Sequence, residues 1–416
     1  MRTFRYETKG PLSRVASISS SDKCGGVRGK PRGKIAQIWL AISASLVGLA
    51  YYGRIVLPAM ETTETLRVVE FAVETQEQPT PSTKSETSLV TTATSTSGNP
   101  KGAVVFLAPQ RNEGSLWGID RFCMLLRAVR SIDQHWSQTQ FGGGYPVYIL
   151  VAKDYELDPK GKDGPYTEAD QALIRRWAPH TTIHFVPIEM YSGEALEPDT
   201  TREQILAWRD GQDGAVAGRD LGYTSMCRLW SGRLQSMSFL DGYKYYLRMD
   251  DDSLLMSDLP FDPFEKMETE GLYYAYRRVV SDRWGVKELW NVTVPHLDAD
   301  KVKTGSLPFL TSAGFYHGLQ PYNNFHVSRI DFWRDETWQR VWKDYNDNHL
   351  FYKHRVGDAN VHAMAIMLMV QSDSKYEIWG SFPYVHNSND FKAWFQHAKS
   401  WNEECQRDYD AYLKST

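Results

Sequence analysis

The chain has 416 residues, 42% hydrophobic and 13% aromatic, which excludes disorder over most of its length and supplies apolar surface for one large core or two smaller ones. Its net charge of −4 hides an asymmetry: residues 1–34 carry nine Lys or Arg against two acids, so the remainder holds 38 basic and 49 acidic residues. A body that acidic excludes general nucleic-acid binding, which depends on neutralising phosphates.

Residues 35–53, IAQIWLAISASLVGLAYYG, hold no charged side chain. As a helix they span about 28 Å, close to the roughly 30 Å hydrocarbon core of a bilayer. Trp39, Tyr51 and Tyr52 stand near the ends, and the basic residues come first. The sequence therefore predicts a transmembrane signal anchor, with residues 1–34 as a cytoplasmic tail and everything after Arg54 in the lumen. Both the apolar run and the basic leader are longer than a cleaved signal peptide requires. Residues 54–100 predict a stem: within 61–100 there are 16 Ser or Thr and one aromatic, too little apolar surface to offset the chain entropy of folding. The folded domain is expected to fill residues 101–416. Cys24 falls on the cytosolic side. Cys123, Cys227 and Cys405 fall in the lumen, where at most one internal disulfide can form among three, and the sequence does not choose it. Asn291-Val292-Thr293 is an N-glycosylation acceptor pattern.

Residues 102–109, GAVVFLAP, are a short apolar run ending at Pro and predict a buried strand. Ile119, Phe122, Leu125, Leu126, Val129 and Ile132 recur at spacings of three and four, a helix. Strands are expected at 146–152 and 181–188, with a helix at 167–178 between them. This alternation predicts parallel βαβ units and an α/β class. A helix over 226–240 should feed a strand over 243–249. A further strand is expected at 271–279, and helices at 331–345 and 358–370. There is no Gly-x-Gly-x-x-Gly and no Walker pattern, which argues against a dinucleotide dehydrogenase or a P-loop NTPase.

The stretch YYLRMDDDSLLM places Asp250, Asp251 and Asp252 directly after a buried strand. Three adjacent carboxylates repel, the more so away from bulk water. Alternation puts Tyr246 and Arg248 on one strand face, and an extended continuation would add Asp250 and Asp252 to it. Two carboxylates at that spacing suit a hard divalent cation, although acidic triplets also sit in solvated turns or cap helices. Strand carboxyl ends are where open α/β sheets bind ligands. Arg111, just past the first strand, is placed to hold a phosphate or stack on a base, or is a surface charge.

MCRLWSG (226–232), YYLRMDDD (245–252), YNNFHVSRIDFWR (322–334), GDANVHAMA (357–365) and PYVHN (383–387) occur in this order. Together they resemble the signature segments of the fungal Golgi α-1,2-mannosyltransferases, glycosyltransferase family 15. The resemblance implies a GT-A fold, a Rossmann-like mixed sheet flanked by helices. It also implies GDP-mannose as donor, a mannose-terminated glycan as acceptor, Mn²⁺ as cofactor, retention of configuration, and a Golgi address. By the same resemblance, Arg111, Tyr223, Arg248 and Asp250 bind the nucleotide diphosphate, Asp252 and His386 hold the metal, and Asp358 lies near the donor mannose. Asp358 also reads as a helix N-cap, His386 as a buried loop histidine, and His362 as a core histidine. Arg228 reads as structural.

One departure is marked. The family has Asn-Phe-Glu where this chain has Asn324-Phe325-His326, and that glutamate is the family's candidate nucleophile. His326 therefore implies a front-face reaction without a protein nucleophile, a different donor or acceptor, or loss of transfer. The competing class is a lumenal carbohydrate-binding protein on a transferase fold. A metal phosphohydrolase is a weaker alternative, because such sites carry more His and Asp ligands.

Overall fold

The computed structural model describes residues 101–108, 115–116, 119–142, 144–158, 164–210, 220–371, 374–386 and 391–415. The expected tail, anchor and stem, and Arg111, lie outside these residues. Among the described residues no helix is long and apolar enough to cross a membrane.

A seven-stranded mixed sheet organises the domain. Strands β1 (Gly102–Leu107), β2 (Val147–Ala152), β3 (Ile183–Ile188) and β4 (Tyr245–Met249) run parallel in the order β3-β2-β1-β4. Helices α1 (Arg121–Ile132) and α2 (Glu168–Trp177) lie between β1 and β2 and between β2 and β3 in the chain, the βαβ pattern expected. Thr167 and Asp170 form a reciprocal capping box at the start of α2. β5 (Ser253–Leu255) follows β4. The sheet then continues through β6 (Leu272–Tyr276), β7 (Phe325–Arg329) and β8 (Lys375–Ile378) in the order β4-β7-β6-β8. β7 is antiparallel to both of its neighbours, and β8 is parallel to β6.

Each sheet face carries its own apolar layer. Ala103, Val105, Leu107 and Tyr246 pack on one side; Val104, Phe106, Tyr245, Leu247 and Met249 pack on the other. This is the period-two alternation read from the sequence.

Two helices depart from expectation. The helix expected over 226–240 starts earlier, as α3 (Leu221–Arg228), capped by Asp220. It gives way to irregular turns around Gly232, where a Cβ would stand 2.8 Å from the Trp342 ring. The helix expected over 331–345 is interrupted at Asp335, whose extended backbone and carboxylate cap a new helix, α4 (Glu336–Asp347). By contrast α5 (Asp358–Gln371) runs nearly as expected. Beyond a polar start with Asp358, Asn360 and His362 it is apolar on every face and correspondingly buried.

A final strand, β9 (Tyr384–His386), pairs with β5, and helix α6 (Phe391–Ser415) follows it. Neither was anticipated as an element. Cys405 of α6 is bonded to Cys123 of α1, with Cα atoms 5.8 Å apart, and Cys227 is free and buried. The bridge closes a span of 282 residues. Cys123→Ser is expected to cost about 2–5 kcal/mol and to expose α6 to proteolysis before the sheet unfolds. Thermal melts and limited proteolysis with and without reductant check this.

Burial also perturbs Glu197, which is 2% exposed and faces His349 Nδ1 at 2.9 Å. Burial pushes its pKa up to about 8 from 4.5, against the pull of Arg228. The folded chain thus keeps a proton that the unfolded chain releases, so this group's contribution to stability falls as pH rises from 4.5 towards 8. Glu197→Gln removes that slope, at most about 1.4 kcal/mol per pH unit. Melts at pH 5 and pH 8 are expected to differ less in the variant than in the parent.

Candidate metal and nucleotide site

β4 ends at Met249, and the chain turns at once. The Asp250 carbonyl accepts the Ser253 amide at 3.1 Å, so the path from 250 to 253 is a turn rather than the extended continuation expected. The turn divides the three acids. Asp250 and Asp252 face His386, and Asp251 faces α1. β9 lies antiparallel to β5 with His386 opposite Ser253, which brings the imidazole over the turn.

Each carboxylate has its own cation. Arg248 Nε donates to Asp250 Oδ1 at 2.8 Å. Arg121 donates to both oxygens of Asp251, at 3.0 and 2.8 Å. His386 Nε2 lies 3.0 Å from Asp252 Oδ1 and 3.7 Å from Asp250 Oδ2. The repulsion within the triplet is thus relieved by three different partners, two of them from remote segments.

Burial and pairing compete at each acid. Burial pushes Asp250 up to about 6, despite Arg248 and His386. At Asp252 burial acts the same way, but the charge and hydrogen bond of His386 together with Arg121 outweigh it and hold the carboxyl below its usual range. Burial disfavours the His386 cation; Asp252 and its neighbours overcome this and hold the imidazole above its ordinary value. His386 Nδ1 donates to the Tyr322 hydroxyl at 2.8 Å, which fixes the ring.

Ligand atoms of Asp250, Asp252 and His386 all lie within 4.8 Å of one another. Two carboxylate oxygens and an imidazole nitrogen fit a divalent ion of intermediate hardness such as Mn²⁺. The cluster forms one wall of a cavity of about 340 Å³, which Tyr223, Trp230, Arg121 and Arg248 also line.

Arg248 is the hub. It is 4% exposed, lies 4.3 Å over the Trp230 ring, and donates to Asp358 as well as Asp250. Asp358, the first residue of α5, also accepts from Asn323 Nδ2 at 3.0 Å. Burial opposes its charge, but Arg248, with His362 and Asn323, outweighs burial and holds the carboxyl low. Asp358 therefore sits behind Arg248 rather than on the cavity wall.

His326 lies deeper. It is fully buried in β7, in register with Arg248 of β4 and Tyr276 of β6. Its Nδ1 donates to the Asn323 carbonyl at 2.7 Å, and its Nε2 takes the Tyr246 hydroxyl at 3.1 Å. Tyr274 stacks on it at 5.1 Å. Burial, then His362 and Arg248, push its pKa well below the ordinary value, so it is a neutral imidazole. His362 is likewise buried, held by Tyr274 and the Trp230 carbonyl. Arg228 is structural, bound to the carbonyls of Glu194 and Ala195 and to Asn346.

The geometry thus brings together Tyr223, Arg248, Asp250, Asp252 and His386, sets Asp358 and His326 behind them, and leaves Asn291 exposed on a distant helix. Arg121, Tyr322 and Asn323 were missed. Arg121 carries no motif; its only signal is that Asp251 needs a counter-charge.

The fold is an α/β protein with an acid–imidazole cluster at the carboxyl end of a central strand, beside a buried arginine, where open α/β sheets bind ligands. The chain belongs to the glycolipid 2-alpha-mannosyltransferase family, whose model matches residues 74–410. It is 24% identical over 260 residues to the probable mannosyltransferase MNT3 of Candida albicans, covering 61% of this chain and 64% of that protein. It is 28% identical over 183 residues to O-glycoside alpha-1,2-mannosyltransferase homolog 3 of Schizosaccharomyces pombe, covering 42% and 48%. The chain therefore spans between about half and two thirds of these relatives' lengths. Among solved structures, the Mn/GDP form of core-mannan synthase A from Aspergillus fumigatus aligns with a TM-score of 0.52 at 19% identity, covering 74% of this chain and 82% of that one. The mannosyltransferase Ktr4p of S. cerevisiae in complex with GDP aligns at 0.53 and 20% identity, covering 75% and 76%. At these identities the likeness is one of fold.

Proposed function

We propose that this protein is a metal-dependent, retaining mannosyltransferase of the GT-A type that moves mannose from GDP-mannose to a mannose-terminated glycan in α-1,2 linkage. The observation that carries this reading is the convergence of Asp250, Asp252 and His386 within 4.8 Å beside Arg248, in a member of this family. The GDP and Mn named for the two similar structures fit the same chemistry. Mn²⁺ would be held by Asp252 and His386 with Asp250 adjacent, and when bound supplies positive charge for a departing diphosphate.

The chain's own residues do the rest. Tyr223 and Arg111 contact the nucleotide. Arg248, pinned by Asp250 and Asp358, presents a fixed positive charge that needs no reorganisation as the leaving group forms. Arg121 adds a second. His326 has both ring nitrogens occupied and is neutral, so it serves as neither nucleophile nor anion at the sugar. That favours the front-face route, in which the acceptor proton passes to a diphosphate oxygen. We further place residues 35–53 as a type II anchor, the domain in the Golgi lumen, and a glycan on Asn291. Thr293 of that acceptor pattern is fully buried, its hydroxyl bound to the Leu289 carbonyl and to Tyr345, so attachment would precede folding.

The test uses the detergent-solubilised full-length chain. Calorimetric titration with GDP is run with and without Mn²⁺, followed by transfer of labelled mannose from GDP-mannose to methyl α-mannoside. Metal-dependent GDP binding with transfer is expected. GDP binding without transfer to any mannoside would favour the retired-enzyme reading that His326 motivates. No GDP binding would overturn the enzyme and is the result expected of the carbohydrate-binding alternative.

A further inference from the structure

A second depression lies at the sheet edge, beside β3. Its volume is about 1120 Å³, some three times that of the metal and nucleotide cavity. Pockets for drug-sized ligands run to about 1,000 Å³, so this one has room for several sugar rings.

Its walls suit hydroxyl-rich chains. Arg233, 8% exposed, donates Nη1 to the Glu189 carbonyl at 2.8 Å, while its Nε is buried with no hydrogen-bond partner. Its Nη2 lies 3.8 Å from Glu194 Oε2, beyond hydrogen-bond reach. Arg228 is anchored beside it on the Glu194 and Ala195 carbonyls. Both guanidiniums are thus pinned on backbone carbonyls, and Arg233 keeps Nη2, outside hydrogen-bond reach of Glu194, for a ligand. Phe239 and Trp342 offer partly exposed rings on the same walls, the surfaces on which sugar rings stack.

The charge argues for a neutral ligand. Lys153, Arg228 and Arg233 face Glu189, Glu194 and Asp199, three against three, and Glu197 keeps its proton near neutrality. A polyanion gains nothing from such a lining, whereas a polyol can both donate and accept along it.

The position ties the groove to the site. The N-terminal end of α3 puts Gly222 and Tyr223 in the nucleotide cavity, and its C-terminal Arg228 lines the groove. Six residues of helix separate them, about 9 Å. The loop after β3 is shared as well: Tyr191 faces the cavity, and Glu189 and Gly193 face the groove.

We infer that this groove is a second, non-catalytic carbohydrate site that takes the distal sugars of a neutral oligosaccharide acceptor while its terminal sugar reaches the transfer site. The inference rests on the glycosyltransferase reading, and its test separates the two. Binding of a linear mannopentaose to the full-length chain is followed by saturation-transfer NMR, first in the parent and then in Phe239→Ala and Lys153→Ala. Lys153 is an exposed lip residue, so its removal leaves the core intact. The expected result is a five- to tenfold weaker mannopentaose affinity in Phe239→Ala and a smaller loss in Lys153→Ala. The ratio of mannopentaose to methyl α-mannoside transfer should fall in parallel through KM, not kcat. Unchanged mannopentaose binding in both variants, or no binding by the parent, overturns the groove. Binding that is lost in these variants while no mannose is transferred at all leaves the groove standing and removes the enzyme.

Discussion

Asp252→Asn abolishes the dependence of GDP binding on Mn²⁺ and lowers mannose transfer by at least about a hundredfold, the scale on which even supporting partners of metal ligands act. The substitution is isosteric, so shape is kept and one negative charge is lost. Asp252 is the stronger of the two carboxylate contacts to His386, at 3.0 Å against 3.7 Å for Asp250. Its loss removes a ligand and loosens the imidazole at the same time. Stability should fall as well, because the depressed pKa of Asp252 means that pairing outweighs the cost of burying its charge, and the variant leaves the His386 imidazole with only the longer contact to Asp250. Titrating GDP into the variant with Mn²⁺ and then with chelator checks this. Retention of a metal-dependent difference would place the metal elsewhere.

Arg248→Ala is expected to be the most destabilising single change near the site. Arg248 is buried and bridges Asp250 and Asp358, and the Trp230 ring lies beneath it. Its removal strands the buried Asp358 and leaves the half-buried Asp250 with only the distant His386, a loss of about 3–5 kcal/mol for a broken buried pair. The melting temperature should fall on the order of 10 °C. Arg248→Lys should rescue little, since an ammonium is a point charge and the fork that spans two carboxylates is gone. Combining Arg248→Met with Asp250→Asn and Asp358→Asn should recover much of the stability and none of the transfer. A simple packing role for Arg248 predicts the reverse for the lysine variant, so melts of the four proteins distinguish the two.

The site was legible in parts. Asp250 and Asp252 were reached from the strand alternation and their spacing as well as through the resemblance, whereas His386 was reached through the resemblance alone. The acidic triplet alone is as compatible with a solvated turn, and the structure does build a turn there. What the strand alternation missed is that turning at Asp250 still aims residues 250 and 252 at one point while sending Asp251 to Arg121. The resemblance placed His326 where the family has its candidate nucleophile. Instead β7 inserts between β4 and β6 and seals it among Tyr246, Tyr274 and His362, and burial keeps it neutral.

By itself the sequence determined the α/β class, the parallel units of β1, β2 and β3, the two faces of β4 and the apolar α5 with its polar N-terminus. Each of these is written in spacings of two to four residues, and neighbouring side chains suffice to decide them. Only the tertiary structure decided that Cys123 meets Cys405, that Arg121 answers Asp251, that His386 crosses to Asp252, and that helix 226–240 breaks against Trp342. Those choices join residues separated by more than a hundred positions in the chain, where pairing depends on strand order and on which buried charge finds a partner. No local pattern carries that information.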